Sequence, residues 1–222
     1  TKLMNKDYSS EYNYHAVPSP WLQVRILRLL RTILPKKGTE EQNLLECLRT
    51  VLDSCDAKLS ENTKNAMFAT LFEIIALASH IELPEKLQSR IVSLLGTYLN
   101  ASETNLRYLA LDAMCSMAEI GCDHELQKYL PKMLSSLREI DVSVKRRALA
   151  VLFAVCDADS CNKILTELLR FLPVCDLSIR EEVIVKICFI AEKFAKTPQW
   201  YVDIMLQLTA VAGDYIADTI LD

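Results

Sequence analysis

The hydrophobic pattern of this chain alternates between two kinds of helix. In residues 103–121, ETNLRYLALDAMCSMAEIG, apolar residues recur at helical spacing on two sides of one predicted helix. One stripe comprises Leu106, Leu109, Ala110, Ala113, Met114 and Met117, and the other comprises Tyr108, Leu111 and Cys115. A helix with so narrow a polar face is predicted to be buried on several sides.

The segment that follows is an ordinary amphipathic helix. In HELQKYLPKMLSSLREI, polar residues cover one face and a single apolar stripe covers the other. That stripe comprises Leu126, Tyr129, Leu130, Met133, Leu134 and Leu137. This helix is therefore predicted to have one buried face.

This pair of helices recurs five times. Each first helix carries a basic residue near its start, and these residues are 35–43 positions apart: Arg25, Lys64, Arg107, Lys145 and Arg180. A period near 40 residues is typical of HEAT and armadillo repeats, in which every unit packs on its neighbours. The sequence therefore predicts an all-α fold, a HEAT/armadillo-like α-solenoid forming a right-handed superhelix of about five helix pairs. Residues 1–18 are predicted to be a polar lead-in, and residues 19–222 the solenoid.

Residues at the helix ends support this division. The predicted signals are hydroxyl–proline pairs at Ser19-Pro20 and Thr197-Pro198, a capping box from Ser178 to Glu181, and terminating glycines at Gly121 and Gly213. Hydroxyl side chains satisfy free N–H groups at helix starts, and glycine adopts the positive φ that often follows a helix.

Charge and length exclude two classes of function. The 222 residues carry 25 Lys and Arg against 29 Asp and Glu, for a net charge of −4. Without a basic excess, we expect no general nucleic-acid binding. The longest apolar run has nine residues, 148–156. Because a membrane-spanning helix needs about 18 or more, the sequence predicts no such helix.

Eight cysteines and three histidines bear on possible metal or redox chemistry. The cysteines form no C-x-x-C pair, and most occupy apolar helical positions. We interpret them as reduced core residues of a cytosolic protein, with disulfides or zinc binding as the alternative. The histidines, His15, His80 and His124, lie far apart in sequence, and neighbouring carboxylates such as Glu181 and Glu182 diverge on a helix. The sequence thus predicts no enzyme, no metal and no cofactor.

Two basic groups are candidates for binding. Arg25, Arg28 and Arg31 recur every three residues along one slanting stripe of the first helix, and residues 145–147 are also basic. Such groups either form ion pairs with neighbouring repeats or contact an acidic partner or anionic lipid headgroups. A consecutive triplet cannot face one partner, so the stripe of Arg25, Arg28 and Arg31 is the better candidate.

Several segments resemble the adaptin large-subunit trunk of clathrin adaptor complexes. They include YHAVPSPWLQVRILRLLRTILP, ETNLRYLALDAMCSMA, DVSVKRRALAVLFAVCD, LSIREEVIVKICFIAEKFA and WYVDIMLQL. The resemblance extends over residues 12–216, and TNLRYLAL, SIREE and WYVD are most similar to the α-adaptin branch, which serves the endocytic adaptor at the plasma membrane.

The resemblance implies a scaffold rather than a catalyst, with residues 19–222 expected to be a middle fragment of the adaptin trunk. Its expected partners are the β-type large, medium and small adaptor chains, with clathrin bound indirectly. The expected location is the cytoplasm, with peripheral association of the whole complex at clathrin-coated pits of the plasma membrane. The alternatives are a γ-type adaptin, a coatomer large subunit, a nuclear-transport receptor, and a regulatory or catalytic helical domain. The family's lipid-binding and signal-binding residues are expected to lie outside this chain. The resemblance therefore assigns neither role to any residue here.

Overall fold

The computed structural model describes residues 9–15, 17–33, 42–54, 61–81 and 83–213. By its internal contacts the chain divides into two units, residues 1–97 and 98–222. In the described ranges, α-helices account for nearly all regular structure, and three 3₁₀ turns and one small sheet account for the rest.

In the described part of the first unit, a 3₁₀ turn and a short antiparallel hairpin precede four α-helices. After a 3₁₀ turn (Ser10–Tyr12), the elements are β1 (Asn13–Tyr14), β2 (Val17–Pro18), α1 (Pro20–Ile33), α2 (Gln42–Ser54), α3 (Glu61–Ala78) and α4 (Glu85–Tyr98), whose last residue opens the second unit. The hairpin was not predicted, because the sequence pattern of this region indicates only a polar lead-in. The boundary at residue 18 stays a prediction.

In the described part of the second unit, residues 98–213, seven further α-helices follow. They are α5 (Thr104–Glu119), α6 (Asp123–Leu126), α7 (Leu130–Ser136), α8 (Val142–Ala154), α9 (Cys161–Phe171), α10 (Leu177–Lys193) and α11 (Pro198–Ala212). With α6 and α7 counted as one broken helix, the described helices of both units form five successive pairs. The all-α, HEAT-like class is thus confirmed, whereas the superhelical handedness stays a prediction.

Helix α5 is buried on both of its predicted stripes. Leu106, Ala110, Met114 and Met117 of the first stripe are buried, and so is Leu111 of the second. The first helix of the next repeat, α8, shows why such burial occurs, because it packs against α5, α7 and α10. A first helix with neighbours on several sides cannot keep a wide polar face.

Helix α1 differs from the other first helices. Trp21, Leu22, Ile26, Leu29 and Ile33 are all 41–66% exposed, although their spacing predicted burial. In the described part of its unit, α1 packs chiefly on α3. Helix α1 therefore carries more apolar side chains than its packing against α3 covers.

The predicted second helix of the third pair is interrupted. A 3₁₀ turn (Gln127–Tyr129) separates α6 from α7. Pro131 stands in the first turn of α7 and lacks the N–H that would continue an α-helix from α6. The apolar stripe nevertheless stays inside: Leu126, Leu130 and Met133 are all buried.

The capping predictions are partly confirmed. Thr197 accepts a hydrogen bond from the Trp200 N–H at 3.2 Å, and Pro198 opens α11, as predicted. The capping box at Ser178 is wrong, because Ser178 lies inside α10 and Asp176 is the cap residue. Ser19 precedes α1 as predicted, but its hydroxyl donates to the Tyr12 carbonyl at 3.3 Å.

Gly121 closes α5 in a Schellman motif. The Gly121 N–H donates to the Ala118 carbonyl at 3.1 Å, and the Cys122 N–H donates to the Met117 carbonyl at 3.2 Å. This geometry places Gly121 at φ +93°, a region that side chains disfavour. The predicted role of Gly121 is confirmed.

Basic residues near the starts of first helices link successive repeats of the second unit. Arg107 on α5 contacts Glu139, which lies just before α8, at 2.8 Å. Lys145 on α8 contacts Asp176, which lies just before α10, at 2.6 Å. The Arg107 and Lys145 side chains are only 14% and 13% exposed, whereas Glu139 and Asp176 are 25% and 39% exposed, so each pair is shielded from water mainly on the side of its cation.

No disulfide joins the cysteines whose side chains the structure describes. Cys156, Cys161 and Cys175 are buried free thiols, which agrees with the prediction of reduced core residues, whereas Cys115 and Cys188 are half-buried free thiols. Burial raises the pKa of Cys156 to about 12, so this thiol stays protonated and acts as a small core residue. Cys55 lies outside the described residues.

Replacing Gly121 with alanine should lower the free energy of unfolding by about 1 kcal/mol. A Cβ built at this position meets nothing within 4 Å, so the cost comes from the positive φ and not from crowding. Gly121→Asn should lose less, because asparagine tolerates positive φ better than alanine. Urea denaturation followed by circular dichroism measures both, and equal losses would contradict this explanation.

Replacing Lys145 with methionine should weaken the dependence of stability on acid. The hydrogen bond and charge of Lys145 hold the pKa of Asp176 below its usual value. This stabilisation is complete above the unfolded-state pKa of about 4 and is lost as the pH falls toward the lowered folded-state pKa. The wild-type free energy of unfolding should therefore fall more steeply below about pH 4 than that of Lys145→Met.

Lys163→Met is the matched control, because Lys163 is an exposed lysine on α9. It should keep the wild-type acid slope in urea titrations at each pH. Equal slopes for Lys145→Met and the wild type would refute the assigned role of the Lys145–Asp176 pair.

Candidate partner-binding surface

The three arginines of the predicted stripe lie on α1, but their environments differ. Arg28 contacts Glu73 of α3 at 2.6 Å, and Arg31 lies 3.9 Å from the same carboxylate. These two thus follow the ion-pair interpretation, and Glu73 joins α1 to α3. Arg25 is exposed, and no hydrogen bond or ion pair involves it among the described residues.

Arg25 borders a cavity of about 520 Å³ in the first unit. Side chains of α1, α3 and the hairpin line this cavity: Tyr14, Pro20, Trp21, Val24, Arg25, Arg28, Asn65, Ala66 and Ala69. Its size lies within the usual range of ligand pockets. Most of the lining is apolar, and its two cations are both members of the predicted stripe.

The hairpin fixes the aromatic wall of the cavity. Tyr14 on β1 pairs with Val17 on β2, and Val17 is buried where β2 contacts α3. This pairing holds the Tyr14 ring edge-on to the Trp21 ring, with 4.7 Å between their centroids. This contact anchors Tyr14 of the lead-in segment beside Trp21 at the start of α1.

The second basic group is fully engaged within its own unit. Lys145 contacts Asp176 at 2.6 Å, Arg146 lies 3.5 Å from Glu182, and Arg147 contacts Asp112 at 3.1 Å. Because α8 lies between α5 and α10, its three consecutive cations reach carboxylates on both neighbours. This group serves packing between repeats.

A second exposed patch, which was not predicted from the sequence, consists of two aromatic side chains. Phe153 on α8 and Phe189 on α10 are 38% and 57% exposed. The centroids of the two rings are 6.5 Å apart in an edge-on arrangement. The Lys186 ammonium lies 4.4 Å from the centre of the Phe153 ring. Both phenylalanines belong to first helices that are apolar on nearly every side. Helical spacing alone therefore does not distinguish these exposed residues from core residues.

The titratable side chains of Asp157 and His80 contact nearby groups at the ends of helices and have structural roles. The Asp157 carboxylate accepts hydrogen bonds from the backbone N–H and the hydroxyl of Ser160, both at 2.7 Å, and these bonds lower the pKa of Asp157. This arrangement closes the turn before α9. His80 lies 3.1 Å from the Ala76 carbonyl at the end of α3, and His124 is on α6, in the other unit.

Across the described ranges, no three His, Cys, Asp or Glu residues are grouped so that they could hold a metal ion. Within the same ranges, none of the helices is both long enough and apolar enough to cross a bilayer.

The sequence signals for the surface were incomplete for one physical reason. The helical period placed Arg25, Arg28 and Arg31 on one stripe of α1, and the structure agrees. Glu73 lies 45 residues after Arg28, and no local pattern connects the two. The cavity likewise depends on three elements that meet only in the folded chain.

Comparison with known proteins gives a consistent assignment. The family described as the adaptin N terminal region matches residues 2–222. The chain is 40% identical to the AP-2 complex subunit alpha-2 of Dictyostelium discoideum over 98% of its length, and 37% identical to the AP-2 complex subunit alpha-1 of Arabidopsis thaliana over 97%. It is 29% identical to the AP-1 complex subunit gamma-2 of Arabidopsis thaliana over 98%.

The chain spans 22% of the length of each of the two alpha relatives and 25% of the gamma relative. The higher identity to the alpha subunits agrees with the resemblance to α-adaptin that the sequence motifs indicated. A family match along nearly the whole chain and these relatives together show that the chain belongs to the adaptin family, within its N-terminal region.

Proposed function

We propose that this chain is part of the structural scaffold of a clathrin adaptor complex in endocytic vesicle transport. The observation that carries the proposal is the 40% identity, over 98% of the chain, to a protein named as an alpha subunit of the AP-2 complex. In this role the chain holds partner subunits and catalyses no reaction.

The fold suits such a role. Stacked helix pairs present long faces on which side chains can be exposed without loss of the core. Phe153 and Phe189 form an exposed aromatic patch on two successive first helices. Exposed aromatic side chains are enriched where proteins bind one another, so this patch supports a role in holding other chains.

The proposed partners are the β-type large, medium and small chains of the adaptor, with clathrin bound indirectly. The proposed location is the cytoplasmic side of the plasma membrane at coated pits, reached through the whole complex. Identity favours an α-type over a γ-type role, at 35–40% for the AP-2 alpha relatives against 29% for the AP-1 gamma relative.

Affinity capture of the tagged longer protein that contains this chain should recover adaptor subunits. We expect medium and small chains of the plasma-membrane adaptor, together with clathrin, to be identified by mass spectrometry. Tag alone, expressed at the same level, is the control.

Recovery of the medium and small chains of a Golgi adaptor would favour the γ-type alternative. Recovery of nuclear-transport cargo or a Ran-type GTPase would refute the adaptor assignment altogether.

A further inference from the structure

We propose that the second helices α7 and α9 form a basic face that binds an acidic segment of a partner polypeptide. The inference deepens the proposed scaffold function and rests on it, because it names the chemistry by which one partner would be held. Both helices lie inside the second unit, where α7 packs on α8, and α9 packs on α10 and α11. The exposure of this face therefore persists with these neighbouring helices in place.

The basic face contains five cations and one carboxylate. Residues 127–138, which include α7, and residues 161–171, which form α9, supply them: Lys128, Lys132, Arg138, Lys163, Arg170 and Glu167. The face thus has a net charge of +4 in a chain whose net charge is −4. Such a concentration of positive charge attracts an anionic partner.

Helical spacing places these cations on the outside of the unit. Leu130 and Met133 of α7 are buried, and the basic residues of residues 127–138 are exposed or half-exposed. In α9, Leu165 is buried, whereas Lys163 and Arg170 are exposed. Each helix therefore buries its apolar side and presents its cations on the opposite side.

The three lysines of the face have no acidic partner in the part of the chain that the structure describes. No hydrogen bond or ion pair there involves the ammonium group of Lys128, Lys132 or Lys163. Their positive charges are therefore available to carboxylates of another chain, with which ammonium groups form charge-assisted hydrogen bonds.

The two arginines of the face share one carboxylate. Arg138 and Arg170 each contact Glu167 at 2.9 Å, one at each oxygen, and their side chains are 74% and 71% exposed. The three side chains together keep a net charge of +1. Because a guanidinium has five N–H donors, each arginine retains donors for a further carboxylate.

An apolar pocket of about 220 Å³ lies beside the two arginines. Its remaining walls are Leu134, Leu137, Phe171 and Val174, of which Val174 is 76% exposed and the other three are buried. The pocket is smaller than a typical small-molecule site, but it has room for one apolar side chain. A segment that carries an apolar residue next to acidic residues would fit both features.

The distribution of charge favours a polypeptide segment over a membrane surface. Exposed carboxylates bound the face, since Asp123 and Asp159 precede the two basic segments and Asp141 follows the first. A bilayer would meet these carboxylates together with the cations, whereas a narrow segment can follow the cations alone. Lys128 and Arg138 are ten residues apart, about 15 Å along a helix, which about five residues of extended chain cover.

A random dodecapeptide display library, selected on the purified chain, tests this inference. Enriched peptides should carry at least two Asp or Glu close to a Leu, Ile, Phe or Met. Their affinities, measured by fluorescence anisotropy, should fall about tenfold or more in the double variant Lys132→Glu/Lys163→Glu, because repulsion replaces attraction. The wild-type affinity should also fall as the ionic strength rises to about 0.15 M, where the Debye length is about 8 Å.

Val174→Gln tests the apolar pocket separately. This exposed substitution removes apolar surface without changing charge, so it should lower the affinity severalfold and leave the salt dependence unchanged. Unchanged affinity in Val174→Gln would refute the assigned role of the pocket.

The matched control is Lys193→Glu/Lys196→Glu, which changes the net charge by the same amount. Both lysines are exposed and lie at or just after the end of α10, outside the basic face. This variant should bind the selected peptides as the wild type does. Far-UV circular dichroism verifies that each variant keeps its helices. If Lys132→Glu/Lys163→Glu fails to fold, Lys132→Gln/Lys163→Gln, which removes attraction without adding repulsion, decides the question.

Three results would overturn the inference: no enriched acidic peptides, equal binding by Lys132→Glu/Lys163→Glu and the wild type, or an equal loss in the control variant. A second arm uses sedimentation with phosphatidylserine vesicles. Vesicle binding that depends on Lys132 and Lys163, without peptide binding, would identify a membrane contact and refute the peptide site. Because subunit capture is a separate measurement, a failure here leaves the proposed scaffold function standing.

Discussion

The constraint on which this structure depends is that the first helices of its second unit are packed on more than one side. Helix α8 contacts α5, α7 and α10, and fully buried residues such as Leu149 and Leu152 are distributed around it. Each such side chain contributes about 1.5–3 kcal/mol when it is removed from water. The repeats therefore stabilise one another, and no first helix of this kind would be stable in isolation.

Apolar packing has little directional preference, so the stack needs a second kind of contact to fix the register of its repeats. In the second unit, Arg107–Glu139 and Lys145–Asp176 perform this role at equivalent places in successive repeats. Each cation lies near the start of one first helix and meets an acidic residue just before the next. Asp176 binds Lys145 while occupying the cap position of α10, so a single residue both marks a helix start and aligns two repeats.

Periodicity predicted most of the fold, because the two stripes of α5 and the single stripes of its partners are local features. The residue types at the helix ends predicted the positive φ of Gly121 and the cap at Thr197, because glycine and a hydroxyl before proline are local signals. The sequence did not predict everything. It missed the hairpin at Tyr14, whose strands are only two residues each, and the exposure of α1, which depends on what packs against it. The candidate surface was found in part: the stripe of arginines was local, whereas Glu73 and the cavity walls come from distant segments.

The placement of the Lys145–Asp176 pair bears on how such arrays can be recombined. A repeat excised at its helix boundaries would carry a cation whose acceptor stays behind on the following repeat. A segment that contains both partners of this ion pair instead runs from Lys145 to Asp176, across the usual boundary between repeats. Grafts between related arrays would therefore be best joined downstream of Asp176, so that donor and acceptor travel together.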